Sequence, residues 1–303
     1  MLHFCFYFLE VGVLRGDEAK CDDDNFWETN MASTYKVEIQ DVVYHVVDGF
    51  ELLARIYQPL GDGPFIGVVE VHGGAWTTND RLTNVDIALP LAASGVVVMA
   101  IDFRMPPAKY PASIQDVNLA VRWLKSKAEA FKVIESRIGI LGTSSGGHQA
   151  MLSALRPSHP DYAAHTLAGG YDATVSFAAL CWPVLDPIAR YRMVTSNGNE
   201  RLANAHHAYW PNEEAMVDGN PQLIIERGEA KRLPPVLIIQ GSKDDNLTSD
   251  MAERFASAYS ASGGSIQLEK FIGAPHAFIA KDPSSPDSIR AIQTLIEFIG
   301  RER

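Results

Sequence analysis

Three well-separated positions hold the groups needed to make a hydroxyl react with a carbonyl: Ser144, His276 and an aspartate between them. A serine hydroxyl is a poor nucleophile until a base takes its proton, and a histidine does so best when a carboxylate fixes its tautomer. Ser144 lies in Gly142-Thr143-Ser144-Ser145-Gly146-Gly147, directly after the apolar run Ile138–Leu141 and before the helix-compatible stretch His148–Leu155. A G-x-S-x-G on a tight strand-to-helix turn needs small neighbours, because the nucleophile takes a strained backbone conformation that larger flanking side chains would obstruct. The following helix adds its positive N-terminal end and a free N–H at Ser145. A phosphate-binding loop would want a lysine after the glycines, and here His148 and Gln149 follow.

The base is expected at His276, in the Gly/Pro-containing loop Gly273-Ala274-Pro275-His276-Ala277-Phe278 between the last strand and the last helix. His45, His148, His159 and His165 read as surface or packing residues, whereas His206 and His207 could line a pocket. For the carboxylate the first choice is Asp244, in Gly241-Ser242-Lys243-Asp244-Asp245-Asn246. It stands 32 positions before His276, room for one helix and one strand. Asp245 is the runner-up and Asp186 a third candidate, since spacing does not separate adjacent carboxylates. Donors for a developing oxyanion are expected from the N–H groups of Gly73 and Gly74, in Val71-His72-Gly73-Gly74-Ala75-Trp76, together with that of Ser145.

The elements that must hold these loops are readable from periodicity. Residues Tyr35 to Pro59 alternate apolar and polar around Asp48-Gly49, the pattern of an antiparallel hairpin. Short continuous apolar runs follow at Ile66–Val71, Gly95–Ile101, Arg137–Leu141, Val175–Leu180 and Val236–Gln240, with a last strand at Ile266–Phe271. Such runs suit strands buried on both faces. Helical periodicity covers Ser113–Lys127, Asp250–Ser260 and Ser288–Ile299. The alternation predicts an α/β fold: a mainly parallel central sheet fronted by the antiparallel hairpin, with helices on both faces and the reactive loops at the strands' carboxyl ends. Residues 187–233 hold no comparable strand and read as a small helical, cap-like insertion over that edge. From it and from the glycine loop come the candidate pocket residues Trp76, His206, His207, Tyr209 and Trp210.

The chain has 303 residues, 47% hydrophobic and 21% charged, as expected for one catalytic domain over 31–303. A formal net charge of -11 repels phosphate backbones and anionic membrane surfaces, so neither nucleic acid nor membrane is an expected partner. Cys5, Cys21 and Cys181 are odd in number and without metal-ligand spacing. No disulfide framework, no metal and a reducing, cytoplasmic compartment are expected. Residues 1–30 open on an apolar stretch that Glu10 interrupts, with no basic residue ahead of it and no small-residue cleavage pattern after it. They are read as a non-essential or disordered extension rather than a secretory signal.

With these residues assembled, the chain from about Tyr35 onward resembles the esterase/lipase superfamily of α/β-hydrolases, in particular the hormone-sensitive-lipase-like and bacterial acyl esterase branch. The resemblance rests on His72-Gly73-Gly74, Ala100-Ile101-Asp102-Phe103-Arg104, Tyr110-Pro111 ahead of a helix carrying Asp116, the Ser144 turn, and the Asp and His loops in the order Ser, Asp, His. It implies hydrolysis of short- to medium-chain acyl esters through an acyl-enzyme, a small-molecule ester as partner, and no cofactor. The chain departs from that pattern at Ala75, where a third glycine is usual, and at Thr143 and Ser145, where the branch commonly has Asp and Ala. The helical N-terminal cap of hormone-sensitive-lipase relatives is not expected, so any lid falls to 187–233. His72-Gly73-Gly74-Ala75-Trp76 equally resembles the oxyanion motif of kynurenine formamidases, which makes an arylformamidase the alternative enzyme. A non-catalytic ligand-binding hydrolase fold is the alternative outside enzymes.

Overall fold

The computed structural model describes residues 35–301; the expectations for residues 1–30, and for Cys5 and Cys21, lie outside the described residues. The first hairpin, β1 (Val37–Val47) and β2 (Phe50–Pro59), turns at Asp48-Gly49, where both residues take positive φ. β1 forms the outer edge, so the alternation read from its sequence does not bury one face: Ile39, Val43 and Val46 remain exposed while Tyr44 is buried. The apolar runs that follow become β3 (Phe65–Val71), β4 (Val96–Ile101), β5 (Val133–Thr143), β6 (Ala178–Cys181), β7 (Val236–Gly241) and β8 (Ile266–Phe271). Every residue of β3, β4, β6 and β7 is buried, as expected of strands covered on both faces. β6 begins three residues later than its apolar run, although Ser176 N–H still donates to the Ile138 carbonyl of β5.

The strands form one eight-stranded sheet in the order β1-β2-β4-β3-β5-β6-β7-β8, antiparallel at β1/β2 and β2/β4 and parallel elsewhere. The chain leaves β3 toward β4 on one side and then crosses back to β5 on the other. Right-handed crossovers therefore send α1 (Val85–Ala93) to one face and α2 (Ala112–Ser126) to the other. α1 packs against the closing helix α10 (Pro286–Arg301), and α2 packs against α3 (Ser145–Leu155). The strand order reverses between β3 and β5, and a crevice opens at their carboxyl ends. The loops of Gly73 and Ser144 meet there.

Between β6 and β7 lie four helices, α4 (Pro187–Ser196), α5 (Glu200–Tyr209), α6 (Glu213–Asp218) and α7 (Pro221–Glu226). Each starts on a side-chain oxygen that accepts from the first turn: Asp186, Asn199, Asn212 and Asn220 in that order. α8 (Met251–Ala261) joins β7 to β8, and the short α9 (Phe278–Lys281) precedes α10. Among the described residues no helix is long and apolar enough to cross a membrane.

Candidate active site

β5 delivers Ser144 at a sharp turn into α3, and the residue sits at φ 52° and ψ −117°. That conformation is unfavourable for a side chain with a Cβ, and packing on every side holds it. Ser144 N–H donates to Cys181 O at 2.9 Å, and its carbonyl accepts from Val184 N–H at 3.0 Å. The elbow also needs Gly146, where an added Cβ would stand 2.0 Å from Val71 O and 2.3 Å from His72 O. α3 thereby seats directly against the end of β3, placing Ser144 beside Gly73.

β8 and the loop after it bring His276 over the same edge. His276 Nε2 lies 2.9 Å from Ser144 Oγ, and Nδ1 lies 2.8 Å from Asp244 Oδ2. The Asp and His loops are tied to each other: Lys243 N–H donates to Ala274 O, Ser242 N–H to Phe271 O and Gly273 N–H to Ser242 Oγ. Gly241 permits this close approach, since a Cβ there would meet Ala274 O at 2.3 Å. Asp244 also accepts from Gln240 Nε2 and Asn246 N–H. Burial raises its pKa, but these bonds, led by His276, outweigh burial and hold the carboxyl below its ordinary value. Of the other two candidate acids, Asp245 is exposed, and Asp186 is occupied as the cap of α4 and by Asn220 Nδ2 and Arg254.

The glycine loop is oriented by His72. Its Nδ1 lies 2.7 Å from the Gly73 carbonyl, and its ring stacks on Phe103 with centroids 4.3 Å apart. Because a peptide unit is planar, pinning the Gly73 oxygen also fixes the Gly74 N–H, which points the opposite way. Among the described residues no turn or loop hydrogen bond uses the N–H of Gly73, Gly74 or Ser145. Trp76 N–H is already committed, to Ser145 Oγ at 3.1 Å.

The departures from the esterase pattern find physical roles. Ser145, in place of Ala, supplies the acceptor that ties the glycine loop to the elbow. Thr143, in place of Asp, accepts from Asn84 Nδ2, which also donates to the buried Glu70. Ala75, in place of a third glycine, sits at φ 53° with its methyl among Val194, Leu202 and Ala205 of the insertion. A left-handed non-glycine residue costs about 1 kcal/mol, which this apolar contact offsets.

A cavity of about 230 Å³ opens beside Ser144 and His276, with Gly73, Gly74, Trp182, Arg190 and Asn246 in its wall. The pocket residues expected from sequence do not line it. Trp76, His206, Tyr209 and Trp210 are buried in an aromatic cluster, with Trp76 stacked on Tyr209 at 5.1 Å and 5°. His207 is exposed and bonds Tyr191. Large aromatic rings gain most from full burial, so they anchor the insertion instead of facing a polar cavity. Arg190 and Asn246, which do face it, carry no sequence signal that separates them from surface residues. Among the described residues no cluster of His, Cys, Asp or Glu could hold a metal ion.

Among known proteins, those this chain is similar to include ester hydrolases. The BD-FAE family model matches residues 55–259. Esterase LipC of Mycobacterium tuberculosis is 27% identical over 244 residues, spanning 78% of this chain and 59% of LipC. The ethyl acetate hydrolase of Pseudomonas putida is 26% identical over 286 residues, spanning 89% of this chain and 85% of that protein. Among solved structures, propionate-bound esterase Est2 from Thermogutta terrifontis matches with a TM-score of 0.70 at 25% identity, covering 88% of this chain and 94% of Est2.

Proposed function

The chain belongs to the BD-FAE family and has the α/β-hydrolase fold, and from that premise we propose that it is a serine carboxylesterase cleaving short- to medium-chain acyl esters through an acyl-enzyme. The observation that carries the reading is the unbroken chain Ser144 Oγ, His276 Nε2, His276 Nδ1, Asp244 Oδ2, with links of 2.9 and 2.8 Å at the wall of a cavity. In this reading Ser144 attacks the acyl carbonyl as His276 takes its proton, and Asp244 holds the imidazole in the tautomer that leaves Nε2 free to accept. The N–H groups of Gly73, Gly74 and Ser145 receive the oxyanion, a role in which losing one donor typically costs about 3 kcal/mol of transition-state stabilisation. His276 then protonates the departing alcohol, and water repeats the sequence on the acyl-enzyme.

The cavity volume of about 230 Å³ supports a short acyl group, being below the roughly 300–1,000 Å³ of pockets for drug-sized ligands. The small acyl groups in the names of similar proteins, ethyl acetate for one and bound propionate for another, point the same way. The proposed setting is a reducing compartment such as the cytoplasm, with a small-molecule ester as partner and neither cofactor nor metal in the chemistry. The test is turnover of p-nitrophenyl acetate, butyrate and decanoate beside N-formylkynurenine, with Ser144→Ala as control. We expect ester turnover that falls with chain length, a pre-steady-state burst, and loss of both in Ser144→Ala. Dominant deformylation, or turnover that survives Ser144→Ala, would sink the reading.

A further inference from the structure

We infer that the ester this site accepts carries a carboxylate, bound by Arg190; the inference rests on the hydrolase reading above and deepens it. Arg190 projects from the first turns of α4, the helix that leaves the carboxyl end of β6 and roofs the cavity. Its side chain is only 1% exposed. Of its five N–H donors, Nε reaches Asn246 O at 3.2 Å, while Nη1 is buried without any hydrogen-bond partner. Its Cζ stands over the Trp76 ring, 5.3 Å from the ring centroid. No carboxylate of the described residues comes within ion-pair distance of it. The nearby acid, Asp244, is fully engaged by His276, Gln240 and Asn246.

A buried cation costs several kcal/mol unless it is paired, so a guanidinium in this position lacks a partner that the protein itself does not supply. Other well-covered arginines show what pairing looks like: Arg81 has Asp41 and Asp102, Arg104 has Asp116, and Arg156 has Asp218 and Glu229. Arg122 also lacks a carboxylate, but Asn118 and His165 occupy two of its nitrogens and it lies away from Ser144's cavity. Burial, followed by Arg201, pushes the Arg190 pKa down to about 10, which leaves it cationic at neutral pH.

Arg190 and Arg201 share the cavity wall with Ser144, His276, Gly73 and Gly74, so the guanidinium side chain and the nucleophile border one space. A planar guanidinium fork matches a carboxylate in two parallel hydrogen bonds. At about 230 Å³ the cavity admits only a small molecule, which sets the carboxylate a few carbons from the scissile carbonyl. The net charge of -11 repels anions in general, so the attraction has to be local. Hydrolysis of such an anionic ester releases a dicarboxylate and an uncharged alcohol when the charge is on the acyl side, or a simple carboxylate and a hydroxy acid when it is on the alcohol side.

The experiment compares kcat/KM of the full-length enzyme on two matched pairs, with p-nitrophenyl acetate as reference. Monoethyl succinate against its uncharged isostere ethyl 4-methylpentanoate probes the acyl side, and 3-acetoxypropanoate against isopentyl acetate probes the alcohol side. We expect the anionic member of one pair to be favoured at least tenfold, and the favoured pair tells where the charge sits. Arg190→Met should collapse that ratio through KM, with Arg190→Lys in between. Should the methionine variant fail to fold, inhibition of the wild-type enzyme replaces it: the matching free carboxylate should compete with p-nitrophenyl acetate. Turnover of p-nitrophenyl acetate with no anionic preference in either pair, and no such inhibition, overturns the inference and leaves the esterase reading standing. An enzyme that turns over no ester overturns both.

Discussion

The indole Nε1–H of Trp76 donates to Nδ1 of His148 at 3.2 Å, and the opposite ring nitrogen of His148 meets Gly219 O at 2.7 Å. One buried imidazole thus joins the glycine loop, the helix behind Ser144 and the far end of the insertion. Nδ1 accepts and Nε2–H donates, so the ring must be neutral in the fold. Burial pushes its pKa from 6.5 down to about 4. His148 reads from sequence as a packing residue, and this bridge is the packing it performs.

Removing that bridge should loosen the glycine loop from behind, since His148 itself does not line the cavity. His148→Ala leaves the Trp76 indole Nε1–H and the Gly219 carbonyl unsatisfied, each at about 1–3 kcal/mol. We expect a stability loss of about 3–5 kcal/mol in urea unfolding, adding the smaller side chain's lost packing. His148→Gln can restore one of the two bonds and should lose about half as much. Equal losses in the two variants would mean that glutamine restores neither bond and that the side-chain volume it retains contributes little.

The three carboxylates that sequence left open separate cleanly in the structure, and so should their variants. Asp244→Asn presents an amide to His276 Nδ1 and disturbs its tautomer. A fall in kcat of about 10³–10⁴ on p-nitrophenyl butyrate is expected. Asp245→Asn, at an exposed position, should stay within about twofold. Asp186→Ala removes the cap of α4 and the acceptor for Asn220, and should cost about 1–3 kcal/mol of stability, read by urea unfolding. A larger rate loss at Asp245 than at Asp244 would reverse the assignment of the acid.

Much of this was legible because strong local patterns agreed with the tertiary answer. The runs that became β3, β4 and β7 are apolar without interruption, and a strand buried on both faces needs nothing else. The elbow was legible because only small residues fit around Ser144. α1 is not among the helices read from periodicity, and it carries Pro90 buried inside its nine residues, where a proline ordinarily disfavours a helix. The cavity wall was missed for another reason. Arginines are mostly exposed, so Arg190 at a helix start carries no sign that α4 will be laid across the sheet edge. Of the five pocket residues expected from sequence, tertiary packing places Trp76, His206, Tyr209 and Trp210 in the core.

The elbow's tolerance for a methyl group tests how tightly α3 is seated. At Gly146 an added Cβ would lie within 2.3 Å of two backbone oxygens, Val71 O and His72 O, neither of which can swing aside. Gly146→Ala is expected to destabilise by about 3 kcal/mol or more and to remove esterase activity together with the elbow geometry. Gly300→Ala is the control, since its Cβ meets nothing within 4 Å and α10 continues past it. It should be neutral or stabilising by up to about 1 kcal/mol in thermal unfolding. If Gly146→Ala kept wild-type stability, the close seating of α3 on β3 would be wrong.

Glu70 offers a pH test of opposite sign to His148. It is fully buried near the carboxyl end of β3, with one oxygen bonded by Asn84 and the other without a partner. Burial, only partly countered by Asn84, pushes its pKa from the ordinary 4.5 up to about 7. Between those values the folded chain holds a proton that the unfolded chain has released, so stability falls as pH rises from 4.5 through 7. His148, with its pKa lowered, does the reverse: the unfolded chain binds the extra proton, and stability falls as pH drops from 6.5 through 4. The two slopes oppose each other over most of the same window, and a wild-type pH profile would hide both. Glu70→Gln preserves shape and an acceptor for Asn84 but titrates nothing, and His148 is common to both proteins and cancels in the comparison. Relative to wild type, Glu70→Gln should therefore be more stable at pH 8 than at pH 5 by about 3 kcal/mol, read from urea unfolding at the two pH values. An equal difference at both would mean that Glu70 is already ionised in the fold at pH 5.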